Sequence, residues 1–340
     1  MEIAVVILNW NGKELLERFL PDVVEFSSPL AQVYVADNAS TDDSVAYVED
    51  RFCKTCAERS RSSVIIIQNT RNGGYAGGYN EALRNIKADV FVLLNSDVQV
   101  TKGWLQPVIE LFKSDANVAA AQPKIKDLKR PTHFEYAGAA GGFLDSLGYP
   151  YCRGRIFVHC EQDNGQYDDT IEVQWASGAC LFVRSDVFWE VGGLDEDYFA
   201  HQEEIDLCWR IKNAGYSVKA CGASEVFHLG GATLATADPK KSFYNFRNSL
   251  YSLVKNVKGL RILFILLIRL TLDGIAAIKF LLEGKPKHFA AILKAHFSFY
   301  ANLPKLIKKR KHLSKSASYV HTLSIVKSHY LSGVKRYDQL

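Results

Sequence analysis

The chain has 340 residues, of which 48% are hydrophobic and 23% are charged. This composition excludes a disordered or low-complexity protein and is sufficient for one large or two ordinary globular cores. The net charge of +4 hides an asymmetry, because the first 240 residues carry 22 Lys and Arg against 34 Asp and Glu, and the last 100 carry 19 against 3. We therefore predict an acidic domain over residues 1–240 and a basic region over residues 241–340.

The N-terminus and the cysteines indicate the compartment. The first apolar run, Ile3 to Leu8, ends at Asn9 and is too short for a secretory signal, with no basic residue before it. The seven cysteines are an odd and scattered set, which is typical of reduced thiols. We therefore expect the protein in the cytoplasm.

Short, continuously apolar runs alternate with helical stretches between residues 3 and 121. Such runs are typical of strands that are buried on both faces of a sheet. The predicted strands are Ile3–Leu8, Gln32–Ala36, Val64–Ile67, Val90–Leu94 and Val118–Ala121, and the predicted helices are Lys13–Phe26, Asp42–Asp50, Ala76–Ile86 and Trp104–Phe112. The alternation predicts an α/β fold, with a mostly parallel sheet and helices on both faces.

The pattern changes in the second third of the chain. Residues 123–172 are rich in Pro, Gly, Tyr and charge, which predicts an irregular or hairpin-rich segment over the edge of the sheet. Regular structure is predicted again at Val173–Val183, in a helix at Glu203–Asn213 and in strands at Ser217–Ala220 and Val226–His228. Beyond Lys240 the pattern predicts helices throughout.

Polar residues follow the first four predicted strands, where parallel sheets bind their ligands. Asp37, after the second strand, can accept hydrogen bonds from a pyrimidine NH or a ribose hydroxyl, or belong to a helix cap. The glycine-rich segment 72–78 lets backbone approach a ligand, or forms a tight turn. Asn95 and Asp97 can hold a divalent cation, or make an Asx turn. No Gly-x-Gly-x-x-Gly follows the first strand, which excludes an ordinary dinucleotide-binding dehydrogenase.

Two further candidates lie after residue 200. Glu203 and Glu204 begin a predicted helix, and Glu204 shares a face with the apolar side chain of Leu207. Acids at this position complement the helix dipole, and a carboxylate at the mouth of a site can equally act as a general base. His228 ends a predicted strand and is either a structural histidine or a metal ligand.

Six short motifs occur in a specific order, at residues 7–12, 37–42, 72–80, 95–97, 192–196 and 203–210. Each motif is weak alone, but the ordered set resembles the inverting family 2 glycosyltransferases of the GT-A fold, especially their rhamnosyltransferase-like members. These enzymes build bacterial surface polysaccharides. The resemblance covers about residues 1–235 and implies a GT-A α/β domain, with the basic helical region added after it.

The resemblance implies a nucleotide-sugar donor linked to dTDP, UDP or GDP. Asp37 would contact the base, and Asn9, Asn72 and Gly73 would help to hold the nucleoside. The acceptor would be a growing glycan, either free or linked to a polyprenyl diphosphate.

The resemblance also implies a divalent cation, Mg²⁺ or Mn²⁺. Asn95 and Asp97 match the Asp-x-Asp motif of the family, and His228 matches a histidine that closes the metal site in related enzymes. Because Asn95 stands where many relatives have Asp, we expect Asp97 and His228 to be the metal ligands.

The catalytic base of the family lies in a Glu-Asp pair, which reads Glu203-Glu204 in this chain. Glu204 is the predicted base by position, and Glu203 is its possible substitute. Trp175 and Gly178 are predicted to lie on the side of the site that holds the acceptor and the donor sugar.

The basic region is predicted to lie on an anionic membrane surface. Residues 261–282 are apolar but interrupted by charges, which favours a helix on the membrane over a helix that spans it. An earlier helix has an apolar face made of Phe243, Phe246, Leu250, Leu253, Val254 and Val257. The cations expected to contact lipid are Lys305, Lys308, Lys309, Arg310, Lys311 and Lys315.

The alternative for the basic region is a helix pair packed on the catalytic domain. Nucleic-acid binding is not expected, because no recognition module accompanies the charge. The resemblance implies an inverting, metal-dependent glycosyltransferase, and the basic region is expected to hold it at the inner face of the cell membrane. Its alternatives are transfer directly to a lipid phosphate and a non-catalytic nucleotide-sugar-binding or scaffold subunit.

Overall fold

The computed structural model describes residues 1–53, 64–230, 238–310 and 318–340. Its strands are β1 (Ile3–Asn9), β2 (Gln32–Asp37), β3 (Val64–Gln68), β4 (Val90–Asn95), β5 (Val98–Val100), β6 (Val118–Asp127), β7 (Arg130–Phe134), β8 (Gly142–Asp145), β9 (Pro150–Cys152), β10 (Arg155–Ile156), β11 (His159–Cys160), β12 (Thr170–Glu172), β13 (Cys180–Arg184), β14 (Ser217–His228) and β15 (Val320–Thr322). Its α-helices are α1 (Lys13–Ser27), α2 (Ser44–Val48), α3 (Gly74–Leu83), α4 (Leu105–Ser114), α5 (Ser185–Glu190), α6 (Glu203–Ala214), α7 (Pro239–Asn256), α8 (Arg261–Leu282), α9 (Pro286–Lys309) and α10 (Ile325–Tyr330).

The central sheet has the strand order β12–β14–β6–β13–β4–β1–β2–β3, with β5 paired to β14 and β7 to β6. The half formed by β4, β1, β2 and β3 is parallel, whereas β13 is antiparallel to both β4 and β6. The α/β class predicted from the sequence is confirmed, and the sheet is more mixed than predicted. The two strands predicted between residues 217 and 228 are one long strand, β14.

Both faces of the sheet are covered, which explains the continuously apolar strands. Val5 and Ile7 of β1 belong to the core that contains side chains of α1 and α4. Ala4 and Val6 belong to the opposite core, with side chains of α3 and α6. Every residue of β1 except the half-buried Leu8 is therefore buried, whichever way its side chain points.

The register of the parallel strands brings their polar ends to one edge. Asn9 of β1 pairs with Asp37 of β2, and Leu8 pairs with Asn95 of β4. The carboxyl ends of three neighbouring strands therefore present polar side chains side by side, as the sequence predicts.

A second sheet lies in the segment predicted to be irregular. Its strand order is β11–β10–β9–β8–β15, and β15 comes from the end of the chain. Val320 pairs in parallel with Leu144 of β8. The prediction that the chain is helical throughout beyond Lys240 is therefore wrong at β15, where backbone hydrogen bonds to β8 select a strand.

Helix α7 packs into the core of the first domain. Leu250, Leu253 and Val257 are fully buried and Val254 is 3% exposed, in the same core as side chains of α6. The prediction that this face lies on a membrane is wrong for these four residues, because the protein itself covers them, whereas Phe243 and Phe246 of the same predicted face are half-buried. Whether the chain divides functionally near Lys240 stays a prediction.

Helices α8 and α9 follow as a pair joined by a short turn. Arg269 of α8 is 2% exposed and donates to the carbonyl of Leu147 at 2.9 Å and to Ser249 Oγ at 2.7 Å. Asp273, 1% exposed, accepts a contact from His296 Nε2 of α9 at 3.3 Å. In the part of the chain that the structure describes, we find no helix with the length and apolarity needed to span a bilayer.

Candidate active site

Asn9 and Asp37 lie side by side at the carboxyl ends of β1 and β2, where the candidate site begins. Asn9 Nδ2 donates to Asp37 Oδ1 at 3.1 Å, and the backbone N–H of Ser40 donates to Asp37 Oδ2 at 3.0 Å. Both side chains are buried, with Asn9 fully covered and Asp37 4% exposed. These bonds fix the Asp37 carboxylate in one orientation, which is what recognition of a base or a ribose requires.

Asn38 organises the glycine-rich turn, a role that the sequence did not reveal. Its Nδ2 donates to Asn72 Oδ1 at 3.0 Å and to the carbonyl of Gly74 at 3.1 Å. Its Oδ1 accepts from the N–H of Gly73 at 3.2 Å and from Asn69 Nδ2 at 3.3 Å. Asn72 and Gly73, two predicted nucleoside-binding residues, are therefore tied to the end of β2 beside Asp37.

The turn needs glycine at two consecutive positions. A Cβ added to Gly73 would lie 2.9 Å from the backbone of Gly77. Gly74 has φ of 67°, and a Cβ there would lie 2.5 Å from the carbonyl oxygen of Phe199. The glycines allow the turn to pack closely on α3 and on the segment that precedes α6.

Asp97 and His228 lie together, as predicted, although 131 residues separate them. The bend after β4 and the end of β14 bring His228 Nε2 to 3.0 Å from Asp97 Oδ1. Glu135, which follows β7, places Oε1 3.4 Å from His228 Nδ1. Burial lowers the pKa of His228, but hydrogen bonds and charges from Asp97 and Glu135 raise it more strongly, to about 10.

The donor set of Asp97 and His228 fits a divalent cation. Two cis ligands of an octahedral ion with bonds of about 2.1 Å are about 3.0 Å apart, which is the separation of Asp97 Oδ1 and His228 Nε2. In the described ranges no group of three or more His, Cys, Asp or Glu side chains is arranged to hold a metal by itself. A cation here would therefore need further oxygen ligands from a bound molecule.

Glu203 and Glu204 begin α6 but have different environments. Glu203 is 4% exposed and its Oε2 is buried with no hydrogen-bond partner among the described residues. Burial, with a smaller contribution from the charge of Glu204, raises the pKa of Glu203 well above its ordinary value. Glu204 is partly exposed. Desolvation raises the pKa of Glu204 to about 7, although backbone N–H groups at the helix start oppose the shift.

Gly178 links Glu204 to the other parts of the site. Tyr75 Oη donates to the carbonyl of Gly178 at 2.7 Å, and a Cβ added to Gly178 would lie 3.6 Å from Glu204 Cβ. The next carbonyl, that of Ala179, accepts from the N–H of Asn95 at 3.0 Å. The glycine-rich turn, the end of β4 and the start of α6 therefore meet at this point.

Trp175 does not line the site, in contrast to the prediction. It is 2% exposed, and its Nε1 donates to the carbonyl of Phe143 at 3.0 Å. A Cβ added to Gly142 would lie 2.0 Å from the Trp175 ring. The ring fills the space above a glycine in the core and has no surface left for a sugar.

The segment before α6 has an unusual backbone. Phe199, His201 and Gln202 have φ of 63°, 68° and 73°, a region that non-glycine residues rarely adopt. Asn248 of α7 stabilises this conformation, because its Nδ2 donates to the carbonyls of Ala200 at 2.9 Å and His201 at 2.7 Å. Strained backbone of this kind is frequent at functional sites, and here the C-terminal region holds it in place.

A buried ion-pair network joins α7 to α6. Lys255 Nζ lies 2.6 Å from Asp195 Oδ2 and 2.7 Å from Asp206 Oδ2. Arg210 Nε donates to the same Asp206 oxygen at 2.8 Å. Burial raises the pKa of Asp206, but Lys255 and Arg210 lower it further, so that it stays below its ordinary value.

We expect Lys255→Met to destabilise the protein by about 1–3 kcal/mol, because it removes the buried cation that Asp195 and Asp206 share, although Lys309 and Arg210 still pair with them. Urea denaturation followed by circular dichroism measures this loss. The matched control is Lys219→Met, which removes a more exposed lysine that pairs with Asp115 at 3.2 Å. Equal losses in the two variants would contradict a special role for the network.

Of the four predicted lipid-binding cations that the structure describes, three are engaged within the protein and Lys308 is exposed. Lys305 and Lys309 form ion pairs at 2.5 Å with Asp197 and Asp195, respectively. Arg310 donates to the carbonyl of Val257 at 2.8 Å. These three side chains thus have partners in the protein, whereas Lys311 and Lys315 lie outside the described residues, and lipid contact of this cluster stays a prediction.

Solved structures with the same architecture are GT-A glycosyltransferases. TarS residues 1–349 from S. aureus, in complex with UDP-GlcNAc, align with a TM-score of 0.54 at 14% identity, over 91% of each chain. The mannosyltransferase PcManGT from Pyrobaculum calidifontis, in complex with GDP-Man and Mn²⁺, aligns with a TM-score of 0.53 at 14% identity, over 92% of this chain and 84% of that one. At such low identity these likenesses show the GT-A fold.

The family follows from the sequence comparison. The model of glycosyl transferase family 2 matches residues 4–192, more than half of the chain. This chain belongs to glycosyl transferase family 2 and is a glycosyltransferase, as its motifs predict. It is also 26% identical over 244 residues to the N-acetylglucosaminyl-diphospho-decaprenol L-rhamnosyltransferase of Mycobacterium tuberculosis, a match that covers 66% of this chain and 75% of that one.

Proposed function

We propose that this glycosyltransferase moves a hexose or deoxyhexose from a dTDP-, UDP- or GDP-linked donor to a hydroxyl of a polyprenyl-diphosphate-linked glycan, with inversion at the anomeric carbon. The similarity to a rhamnosyltransferase with a decaprenol-linked acceptor supports the acceptor class. Solved neighbours that hold UDP-GlcNAc and GDP-Man support the donor class.

The observation that carries the proposal is the position of Glu204. The Cβ of Glu204 lies beside Gly178. The carbonyl of the next residue, Ala179, accepts a hydrogen bond from the N–H of Asn95 at the end of β4, and Asp97 is two residues further along the chain. A carboxylate with a raised pKa thus lies near the residues proposed to hold the donor diphosphate. This is the arrangement that a single displacement at the anomeric carbon requires.

The reaction follows from these roles. Asp37, held by Asn9, binds the base or ribose, and the turn at Asn72 and Gly73 binds the remainder of the nucleoside. Glu204 accepts the proton of the acceptor hydroxyl, whose oxygen forms a bond to the anomeric carbon. The bond from that carbon to the diphosphate oxygen breaks, and the nucleoside diphosphate leaves with the electron pair. Because attack and departure occur on opposite sides, the anomeric configuration inverts.

A divalent cation, Mg²⁺ or Mn²⁺, bound by Asp97 and His228 would neutralise the charge of the leaving diphosphate. The separation of the two side chains supports this assignment, as does the Mn²⁺ in the structure of a fold neighbour. Glu135, beside His228 Nδ1, would orient the imidazole.

The test uses purified full-length protein with each nucleotide sugar and an N-acetylglucosaminyl-diphospho-polyprenol in detergent. We expect one sugar to be added to the lipid-linked glycan in the presence of Mg²⁺ or Mn²⁺, and NMR of the product to show the inverted linkage. Retention of configuration would contradict the mechanism. Transfer only to a polyprenyl phosphate would contradict the acceptor class, and donor binding without transfer would favour a scaffold subunit.

The pH dependence tests the proposed base. Glu204 must be deprotonated to accept a proton, and its pKa is raised to about 7. We therefore expect kcat/KM to fall as the pH decreases through about 7 and to level off above it. Binding of the nucleoside diphosphate at the same pH values is the control. An inflection near the ordinary glutamate pKa of about 4.3 would contradict the assignment.

A further inference from the structure

The outward faces of α8 and α9 carry large apolar side chains that no other described residue covers. On α8, Leu263 is 64% exposed, Phe264 67% and Leu267 64%, and on α9 Phe297 is 73% exposed. The same two faces also expose Ile275, Ile278, Leu281, Leu282, Leu293, Tyr300 and Ile307. Exposed apolar surface of this extent on a folded protein indicates a binding surface.

The exposed residues of α8 occupy one side of the helix. At about 100° per residue, positions 263, 264, 267, 275, 278, 281 and 282 fall within about one third of the helix circumference, which makes a single stripe. The buried residues of α8, which include Ile265 and Arg269, lie on the opposite side. The helix therefore has one face in the protein core and a second apolar face that remains outside.

The charges around this surface are mostly positive, with Glu283 in the turn between the helices as the exposed acid, where it pairs with Lys279 and Lys285. Helices α8 and α9 together contain eight Lys and Arg and a single acid, Asp273, which is buried. Six of the cations are exposed, namely Arg261, Lys279, Lys287, Lys294, Lys305 and Lys308, and Lys305 is the one among them that pairs with Asp197. An apolar surface bordered by cations complements the interface of a bilayer that contains anionic lipid. A second copy of the chain would instead bring two sets of like charges together.

We propose that the exposed face of α8 and α9 inserts into the interfacial layer of an anionic membrane. The α8 part of this surface is the segment 261–282 that the sequence predicts to lie on the membrane. The structure adds the exposed face of α9 and removes Leu250, Leu253, Val254 and Val257 of α7, which are buried, while Lys305 and Lys309 bind acidic residues of the protein. The inference rests on the proposed function in one respect, since a lipid-linked acceptor requires an enzyme at the bilayer.

The same ion pairs connect the membrane face to the site. Lys309 of α9 binds Asp195 and Asp197, which precede the strained segment that leads into α6 and Glu204. A bilayer bound by α9 is therefore held at a fixed position relative to the proposed base. A polyprenyl carrier embedded in that bilayer would therefore present its glycan at a defined distance from Glu204.

The test is flotation of the full-length protein with phosphatidylcholine vesicles that either contain or lack phosphatidylglycerol. We expect binding to the anionic vesicles, and a loss of at least about tenfold in the triple variant Leu263→Ser, Phe264→Ser, Leu267→Ser. The matched control is the pair Leu30→Ser and Val158→Ser, which removes exposed apolar residues from the first domain and should leave binding unchanged. The melting temperature and nucleoside-diphosphate binding of each variant report its folding.

Membrane insertion of the exposed face of α8 and α9 is overturned if the wild-type protein does not float with anionic vesicles, or if the triple variant floats equally well. It is also overturned if the triple substitution converts a dimer into a monomer in sedimentation experiments without changing flotation, because the face would then join two copies. Transfer to a water-soluble acceptor analogue is measured in parallel and should be normal in the triple variant. Its absence in the wild type would count against the proposed function and leave the flotation result intact.

Discussion

Glu204→Gln is expected to lower kcat for sugar transfer by about 10²–10⁴-fold, the range that a positioned general base contributes. The substitution preserves the size of the side chain and removes its ability to accept a proton. It also removes a negative charge beside Glu203, whose pKa that charge raises, so the fold should not be destabilised. The dissociation constant of the nucleoside diphosphate should stay within about threefold of the wild-type value, since the described hydrogen bonds of Asn9, Asp37 and Asn72 do not involve Glu204.

Two neighbouring substitutions make this test specific. Glu203→Gln is the matched control and should retain most of the activity, because Glu203 is 4% exposed and has little access to an acceptor. Glu204→Asp should retain a pH profile with the same shape at a lower rate, because its carboxylate is one methylene shorter. The assignment of the base is wrong if Glu203→Gln abolishes transfer and Glu204→Gln does not.

The half of the fold that carries the donor site could be predicted because its signals are local. Strands β1 to β4 are short apolar runs with polar ends, and α1 and α6 have amphipathic patterns of helical length. The ends of these predicted elements agree with the structure within about one residue at β1 and α1. Their register then places Asn9, Asp37 and Asn95 at one edge, which follows from the topology of a parallel sheet and needs no knowledge of individual contacts.

The second sheet could not be predicted because its stability depends on distant pairing. Strand β8 pairs with β9 and with β15, a strand of three residues. The paired residues Leu144 and Val320 are 176 positions apart in the chain. Short strands rich in turn residues carry no period that distinguishes them from loops. Glu135 was missed for the same reason, since only the fold brings it to His228.

Burial also changed the interpretation of two apolar features. Trp175 lies in a segment with site-like residues, and only its packing on Gly142 shows that the ring belongs to the core. The apolar stripe of α7 and that of α8 look alike in the sequence, yet the first is buried and the second is exposed. Amphipathic patterning indicates that a helix has an apolar face, but the choice between protein and membrane depends on which faces are already covered.

The second large effect is expected at Asp97. Asp97→Asn keeps the size and a hydrogen-bond acceptor for His228, but it removes the charged oxygen that a divalent cation requires. Because Asn95 already replaces one carboxylate of the family motif, Asp97 is the acidic ligand on which the proposed site depends. We expect transfer to fall by about 10³-fold, which corresponds to about 4 kcal/mol of lost stabilisation of the leaving diphosphate.

Titration of UDP and GDP into the protein with and without Mn²⁺ separates this loss from a folding defect. In the wild type Mn²⁺ should strengthen nucleoside-diphosphate binding, and Asp97→Asn should remove that difference while the metal-free affinity stays near its wild-type value. Glu135→Gln, which changes only the group beside His228 Nδ1, should weaken the effect of Mn²⁺ by about 10–100-fold without removing it. Asp127→Asn, a carboxylate paired with Arg130 at 3.0 Å, is the control and should behave as the wild type. If Mn²⁺ still strengthens binding in Asp97→Asn, the cation is held elsewhere, and the hydrogen bond between Asp97 and His228 is structural.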